Sequence, residues 1–163
     1  MRKLTVTLCL TLTILLGSAG VSESADFQKG SIAYESEDYV TALREWTPLA
    51  EQGDAIVQYI LGQMHRKGKG VPQDYKTAVK WYTLAAKQGN ANAQYNLGLM
   101  YAKGHGVHLD YVYAHMWGSI AAFNGNNNGG RLRDIVVKRM TLADLSTAQK
   151  LARECVHKKY EGC

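Results

Sequence analysis

A 36-residue period limits the fold of this chain more than any other feature of its sequence. One stretch, GDAIVQYILGQMHRKGKGVPQDYKTAVKWYTLAAKQ, begins at Gly53; a second, GNANAQYNLGLMYAKGHGVHLDYVYAHMWGSIAAFN, begins at Gly89. In register, Gln58 falls on Gln94, Tyr59 on Tyr95, Leu61 on Leu97, Gly62 on Gly98 and Met64 on Met100. Further along, Gly68 meets Gly104, Gly70 meets Gly106, Val71 meets Val107, Ala78 meets Ala114 and Trp81 meets Trp117. The same offset reaches back from Tyr75 to Tyr39 and from Ala78 to Ala42. A recurrence of this length marks a chain built from stacked supersecondary units, none of which can bury its apolar face alone.

Each unit reads as two helices. The first begins after Asp54, Asn90 or Asn126, and the second near Asp38, Asp74 or Asp110, all residue types that accept hydrogen bonds from the free amides of a helix start. In the second helix Ala78, Trp81, Tyr82 and Ala85 recur at helical spacing, and its end is marked by Gly53, Gly89 or Gly125. Between the helices, HRKGKGVP recurs as YAKGHGVH. A phosphate-cradling loop would follow a strand and end in Gly-Lys-Ser/Thr, and neither holds here. What repeats is the glycines and the valine, so Gly68 and Gly104 read as left-handed helix ends. Lys67 and Lys103 then occupy the last turn, where positive charge suits the helix dipole. Gly62 and Gly98 fall in mid-helix, where glycine costs about 1 kcal/mol relative to alanine; close approach by the neighbouring helix or its aromatic accounts for their presence. Trp81 and Trp117 read as core, because a stacked helical pair must bury one face.

The ends depart from the period. Arg2 and Lys3 precede an uncharged run, Leu4 to Leu16, followed by small residues. Its 13 residues fall short of the roughly 20 needed to span a bilayer. Residues 1–24 therefore read as a cleaved secretory signal, with cleavage after Ser24 preferred to Ala19 and no transmembrane anchor. Without them the net charge changes from +5 to +4, mildly basic and without the runs or motifs of a nucleic-acid binder. Cys155 and Cys163 remain, an even number that suits an oxidising, periplasmic or extracellular compartment. A continuous helix would hold them about 12 Å apart along its axis, whereas a disulfide needs Cα atoms about 4.4–6.8 Å apart. The pairing therefore requires the helix to end between them, with Gly162 helping the chain turn back. Free thiols or a metal pair with His157 are the alternatives. After Asn126 the sequence loses Gln-Tyr, the mid-helix glycine and the glycine loop. A further helix opens at Thr141, and Ile135, Val136, Met140, Leu142, Leu145, Ala148, Leu151 and Ala152 are expected to cover the exposed side of the last repeat, as arrays require of their caps. The expected organisation is a repeat domain over 25–140 and a capping helix and tail over 141–163, all-α throughout.

The stretch AQYNLGLMYAKGHGVHLDYVYAHMWGSIAA resembles the Sel1-like repeat, a relative of the tetratricopeptide repeat. Its pattern is Ala-x-x-x-Leu-Gly-x-x-Tyr, a Gly-x-Gly-Val loop, then Asp-x-x-x-Ala-x-x-Trp and Ala-Ala-x-x-Gly. The likeness covers roughly Asp38 to Gly125, and LRDIVVKRMTLADLSTAQKLA resembles the tail of secreted bacterial members. The resemblance implies an α/α solenoid acting as an adaptor that holds a protein or peptide, often in the cell envelope. His65, Ile56, Val57, His115 and Met116 depart from the pattern.

A solenoid of helix pairs makes a concave face from one helix of each pair. We expect the first helices to supply it, with Gln58, Tyr59, Gln63, Arg66, Gln94 and Tyr95 facing a partner and Lys69 at the mouth. Tyrosine and arginine are favoured anchors of interfaces, although the repeat itself also explains the two tyrosines. A structural part in assembling an envelope complex is a further reading. An enzyme is the least supported. Some cysteine-rich relatives look like penicillin-binding proteins, but this chain lacks their cysteine pairs and any Ser-x-x-Lys nucleophile motif. Ser119 and His115 are helical neighbours without an evident acidic third member. His105, His108 and His115 have partly ligand-like spacing but lack a fourth ligand, so neither metal nor cofactor is expected.

Overall fold

The computed structural model describes residues 26–163. The signal-peptide reading and the first domain boundary fall on residues outside that range. The described residues form eight α-helices and no strand: α1 (Phe27–Glu35), α2 (Tyr39–Glu51), α3 (Ala55–Lys67), α4 (Tyr75–Lys87), α5 (Ala91–Lys103), α6 (Tyr111–Phe123), α7 (Asn127–Val136) and α8 (Leu142–His157). A 3-10 turn, Val137–Arg139, follows α7. The second helices α2, α4 and α6 start at Tyr39, Tyr75 and Tyr111, and the first helices α3, α5 and α7 at Ala55, Ala91 and Asn127, each series in steps of the sequence period.

The helix starts follow from side-chain chemistry. Asp38, Asp54, Asp74, Asn90, Asp110 and Asn126 each accept a hydrogen bond from a backbone N–H two or three residues on. Thr141 and Asp144 cap α8 reciprocally. The ends are equally specified. Gly68 and Gly104 close α3 and α5 at φ 68° and 67°, the left-handed region that a side chain disfavours.

Mid-helix glycine is explained by contact. A Cβ added at Gly62 would lie 2.6 Å from the ring of Tyr82, which is fully buried. Gly30 plays the same part under Trp46 in the first pair. Gly98 differs. Gly118 stands where the repeat has Tyr82, so Gly98 meets Leu132 and the backbone of Ala114 and Gly118, not an aromatic.

Three apolar clusters run along the stack. Ala42, Ala78 and Ala114 are fully buried in them. Trp117 is buried at 1% exposure, but Trp81, expected in the core, is only half-buried against the α2–α3 cluster. The fully buried aromatic of α4 is its neighbour Tyr82, because the glycine of α3 admits that ring.

The capping helix covers the last complete repeat, but not with every residue expected to take part. α8 packs back onto α6 and does not extend the stack beyond α7. It buries Ala148 and Cys155, with Leu151, Ala152 and Val156 partly covered beside Met116, Trp117 and Ile120. Ile135 and Leu142, expected to close the last repeat, are 61% and 87% exposed. The apolar stripe of α8 finds its complement on α6, and the tail fixes it there. Cys155 and Cys163 are joined, with Cα atoms 5.6 Å apart, and α8 ends between them at His157. Tyr160 exchanges hydrogen bonds with Asn124 at the end of α6.

Candidate partner-binding surface

First helices pack on one another, α3 on α5 and α5 on α7, whereas no two second helices come as close. The stack therefore curves toward the first helices, and its inner face carries the side chains that they turn away from the core. One column reads Tyr59, Tyr95 and Arg131, the next Gln63, Leu99 and Ile135, and a third Arg66, Ala102 and Lys138.

The structure separates the expected binding residues into two groups. Tyr59, Gln63, Arg66 and Tyr95 lie half-buried on first helices. The ring of Tyr59 packs beside Tyr82 at 6.2 Å. Burial raises the pKa of its hydroxyl, opposed chiefly by the charge of Arg66. Arg66 donates from Nε to the hydroxyl of Tyr82, itself pushed up to about 12 by burial. A guanidinium has further donors beyond the one so engaged.

Gln58 and Gln94 do not face a groove. They are buried at 4% and 0% exposure, and each joins three helices. Gln58 donates to the carbonyl of Ala50 in α2 and accepts from Gln88, which follows α4. Gln94 donates to Ala86 in α4 and accepts from Asn124, which follows α6. A helix ends with carbonyls that lack intrahelical donors; Ala50 and Ala86 accept from the N–H of Gly53 and Gly89, and the glutamines add a second, side-chain donor to each. Their presence in both repeats is therefore structural. The bare sequence offers a buried amide and a groove amide the same letter, and only the carbonyl eight residues before each one distinguishes them.

Lys69 is also engaged internally. It donates to the hydroxyl of Tyr39 at 2.9 Å and its ammonium lies over the rings of Tyr34 and Tyr39. The bond to Tyr39 is the main cause that raises its pKa. One repeat later His105 stacks on Tyr75 at 4.4 Å. The residue between the two loop glycines thus fastens each loop onto the preceding second helix.

A residue set that the sequence reading missed completes the surface. Leu99, Ala102, Tyr111, Leu132, Ile135 and Val136 line a mostly apolar groove of about 370 Å³ between α5 and α7, with Lys103 and Arg139 also lining it. The signal was present in the columns: Leu99 and Ile135 replace the polar Gln63 on the same face. A second depression, about 410 Å³, lies between α6 and α8 and includes Ile120, Phe123, Ala152 and Val156.

The polar pair on α6 is close but weakly arranged for catalysis. Ser119 Oγ lies 3.4 Å from Nδ1 of His115. Burial, reinforced by the charge of Arg133, lowers the pKa of His115, and Asp134 opposes this. Asp134 is the acidic neighbour that sequence alone did not reveal, but its carboxylate is bound by Arg133 at 2.8 Å. No group of three potential metal ligands is gathered among the described residues.

These features define a class of protein, a short α/α solenoid of helix pairs with an inner face lined by first helices. The family model of the Sel1 repeat matches residues 55–90 and 91–126, so the chain contains two Sel1 repeats. It is similar to a solved protective antigen of uropathogenic Escherichia coli strains displaying an SLR fold, with 32% identity and a TM-score of 0.75 over 80% of this chain and 30% of that one. It is also similar to a Sel1 repeat protein from Oxalobacter formigenes, with 36% identity and a TM-score of 0.61 over 64% of this chain and 32% of that one. The chain thus spans about a third of the length of either structure. A comparison with curated proteins found no match. Sel1 repeats typically mediate protein–protein interaction.

Proposed function

We propose that this protein is a non-enzymatic adaptor of the bacterial cell envelope that holds a protein or peptide against its first-helix face. The observation that carries the proposal is the apolar groove at Leu99 and Ala102, edged by Lys103 and Arg139, beside the first helix that carries the half-buried Tyr59, Gln63 and Arg66. Apolar floor and basic edge favour a segment with aliphatic residues flanked by acids. An oxidising compartment fits the Cys155–Cys163 disulfide, and no helix among the described residues is long and apolar enough to cross a membrane.

The test is selection from a displayed peptide library, followed by affinity measurement with purified wild type, Leu99→Ser and Lys103→Glu. Enrichment of acidic–aliphatic sequences, with at least tenfold weaker binding to each variant at unchanged thermal stability, is the expected result. Binders indifferent to both substitutions would place recognition elsewhere. Capture only of folded proteins, never peptides, would favour an assembly factor. Turnover of a chromogenic β-lactam, lost in Ser119→Ala, would favour the hydrolase reading.

A further inference from the structure

Helix α8 packs along α6 and leaves a cleft between two stripes of side chains. On α6 the stripe is His115, Ser119 and Phe123; on α8 it is Leu145, Gln149, Arg153 and His157, both in steps of four residues. Two depressions open along the cleft. One, about 360 Å³, is lined by His115, Ser119, Arg133, Asp134, Leu145 and Gln149. The other, about 410 Å³, has Ile120, Ala152 and Val156 in its lining, with Phe123, Arg153 and His157. Ser119 lines both, so the two adjoin on α6. The cleft also lies where the repeat breaks: His115 and Phe123 stand where α4 carries Val79 and Lys87.

The first depression holds a polar group that the protein does not satisfy. His115 is 3% exposed, and its Nδ1 faces Ser119 Oγ at 3.4 Å. Its Nε2 has no partner among the described residues, yet no fully buried side-chain nitrogen or oxygen among them is left unbonded, so Nε2 opens onto the depression. A neutral ring that accepts at Nδ1 carries its proton on Nε2 and donates there. Arg133 keeps donors beyond the two that hold Asp134. Asp134, the one carboxylate in the lining, is thereby already paired. The second depression is apolar, and its ionisable lining residues are Arg153 and His157, with no acid. Arg153 has no ion-pair or hydrogen-bond partner among the described residues. Phe123 is 73% exposed.

We propose that this cleft binds an aliphatic carboxylate, a fatty acid of medium chain length, with its headgroup at His115 and Arg133 and its chain against Ile120, Phe123, Ala152 and Val156. From His115 to Phe123 α6 rises about 12 Å, so a ligand that uses both depressions is elongated. Donors at one end and an apolar lining at the other select an amphiphile. Cationic groups without free acids select an anion. A carboxylate accepts from Nε2 of His115 and from the remaining donors of Arg133 together. The stem of Arg153 can lie against the chain while its charge stays in water. The cleft shares no lining residue with the groove between α5 and α7.

Titration calorimetry of the purified protein with dodecanoate, below its micellar concentration, tests this. The expected result is one bound molecule per chain, with dodecanol, dodecyltrimethylammonium and acetate each at least tenfold weaker. In histidine-resolved NMR spectra, dodecanoate is expected to shift the ring signals of His115 and leave those of His65 on α3 in place. Phe123→Ser and Arg153→Glu change exposed residues, so each is expected to weaken dodecanoate at least threefold at an unchanged melting temperature. His115→Phe keeps a ring but removes the donor, and is expected to weaken dodecanoate at least tenfold while leaving dodecanol as it was. A wild type that does not bind dodecanoate would overturn the proposal. So would equal affinity for the acid, the alcohol and the cation, or dodecanoate binding that neither shifts His115 nor responds to Phe123→Ser. No variant here touches Leu99 or Lys103, so this reading and the peptide groove fail separately.

Discussion

At the scale of single residues, the glycines and glutamines of the repeat make opposite demands, one for absence of a side chain and the other for a bonded one. Gly62→Ala would gain up to about 1 kcal/mol of helix propensity, yet its methyl would collide with the buried ring of Tyr82. Overpacking of this kind costs about 1–3 kcal/mol, so a net loss of stability is expected in denaturant unfolding. Gly98→Ala is expected to cost less, because its nearest obstacle is the end of the flexible Leu132 side chain. Gln94→Ala would remove two hydrogen bonds, one to the Ala86 carbonyl, which keeps the Gly89 N–H, and one from the Asn124 amide, which keeps Tyr160, at about 0.5–1.5 kcal/mol each. Acid should act at two places. Burial lowers the pKa of both His115 and His65, so the folded state resists the proton. Their stability contribution is complete above the unfolded value of about 6.5 and falls as pH drops through it, until the folded histidines also titrate. The carboxylates of Asp38, Asp74 and Asp144, lowered by hydrogen bonds from threonine, lose their contribution only in a more acid range. Thermal unfolding from pH 8 to 3 should show both steps, with His115→Gln reducing the first.

At the scale of elements, the helix boundaries were legible because each is written in local chemistry: an Asp or Asn at the start, a glycine at the end. The partners of the last helix were not. Residues Leu142, Leu145, Ala148 and Leu151 announce an amphipathic stripe, but a stripe does not say which surface it will meet. Their choice of α6 depends on Met116, Trp117 and Ile120, residues that the repeat pattern assigns to the inside of a complete stack. The disulfide was predictable from count and compartment, and its helix break from distance alone. Cys163→Ser is expected to lower stability by about 2–3 kcal/mol by the loop-entropy model and to loosen Tyr160 from Asn124. Hydrogen exchange at the C-terminal end of α8 would show that loosening, with α3 and α4 unchanged.

At the scale of the whole molecule, the solenoid was readable from its period, but only part of its inner face was. Four of the seven expected binding residues are on that face, whereas Gln58 and Gln94 are inside the protein and Lys69 is held by Tyr34 and Tyr39. Periodicity explains why. A position that recurs does so first because stacking demands it, so the strictest repeats point inward. The groove lies instead where the columns change, at Leu99, Ala102 and Ile135. Binding should therefore follow the irregular positions: Leu99→Ser is expected to weaken peptide affinity at least tenfold, and Tyr59→Phe far less, as read by titration calorimetry.

The two buried glutamines have a consequence for how the molecule comes apart. Each clasps the helix before it and the helix after it, and the second clasp ends on Tyr160 of the tail. Helices α2 to α6 are thereby sewn with overlapping stitches, and opening any one seam releases its neighbours. Unfolding is then close to a single event in the middle of the chain. Helices α1 and α7 lie outside these stitches, and α1 is held to α2 by Trp46 donating to the Phe27 carbonyl and by the Lys29–Glu45 ion pair.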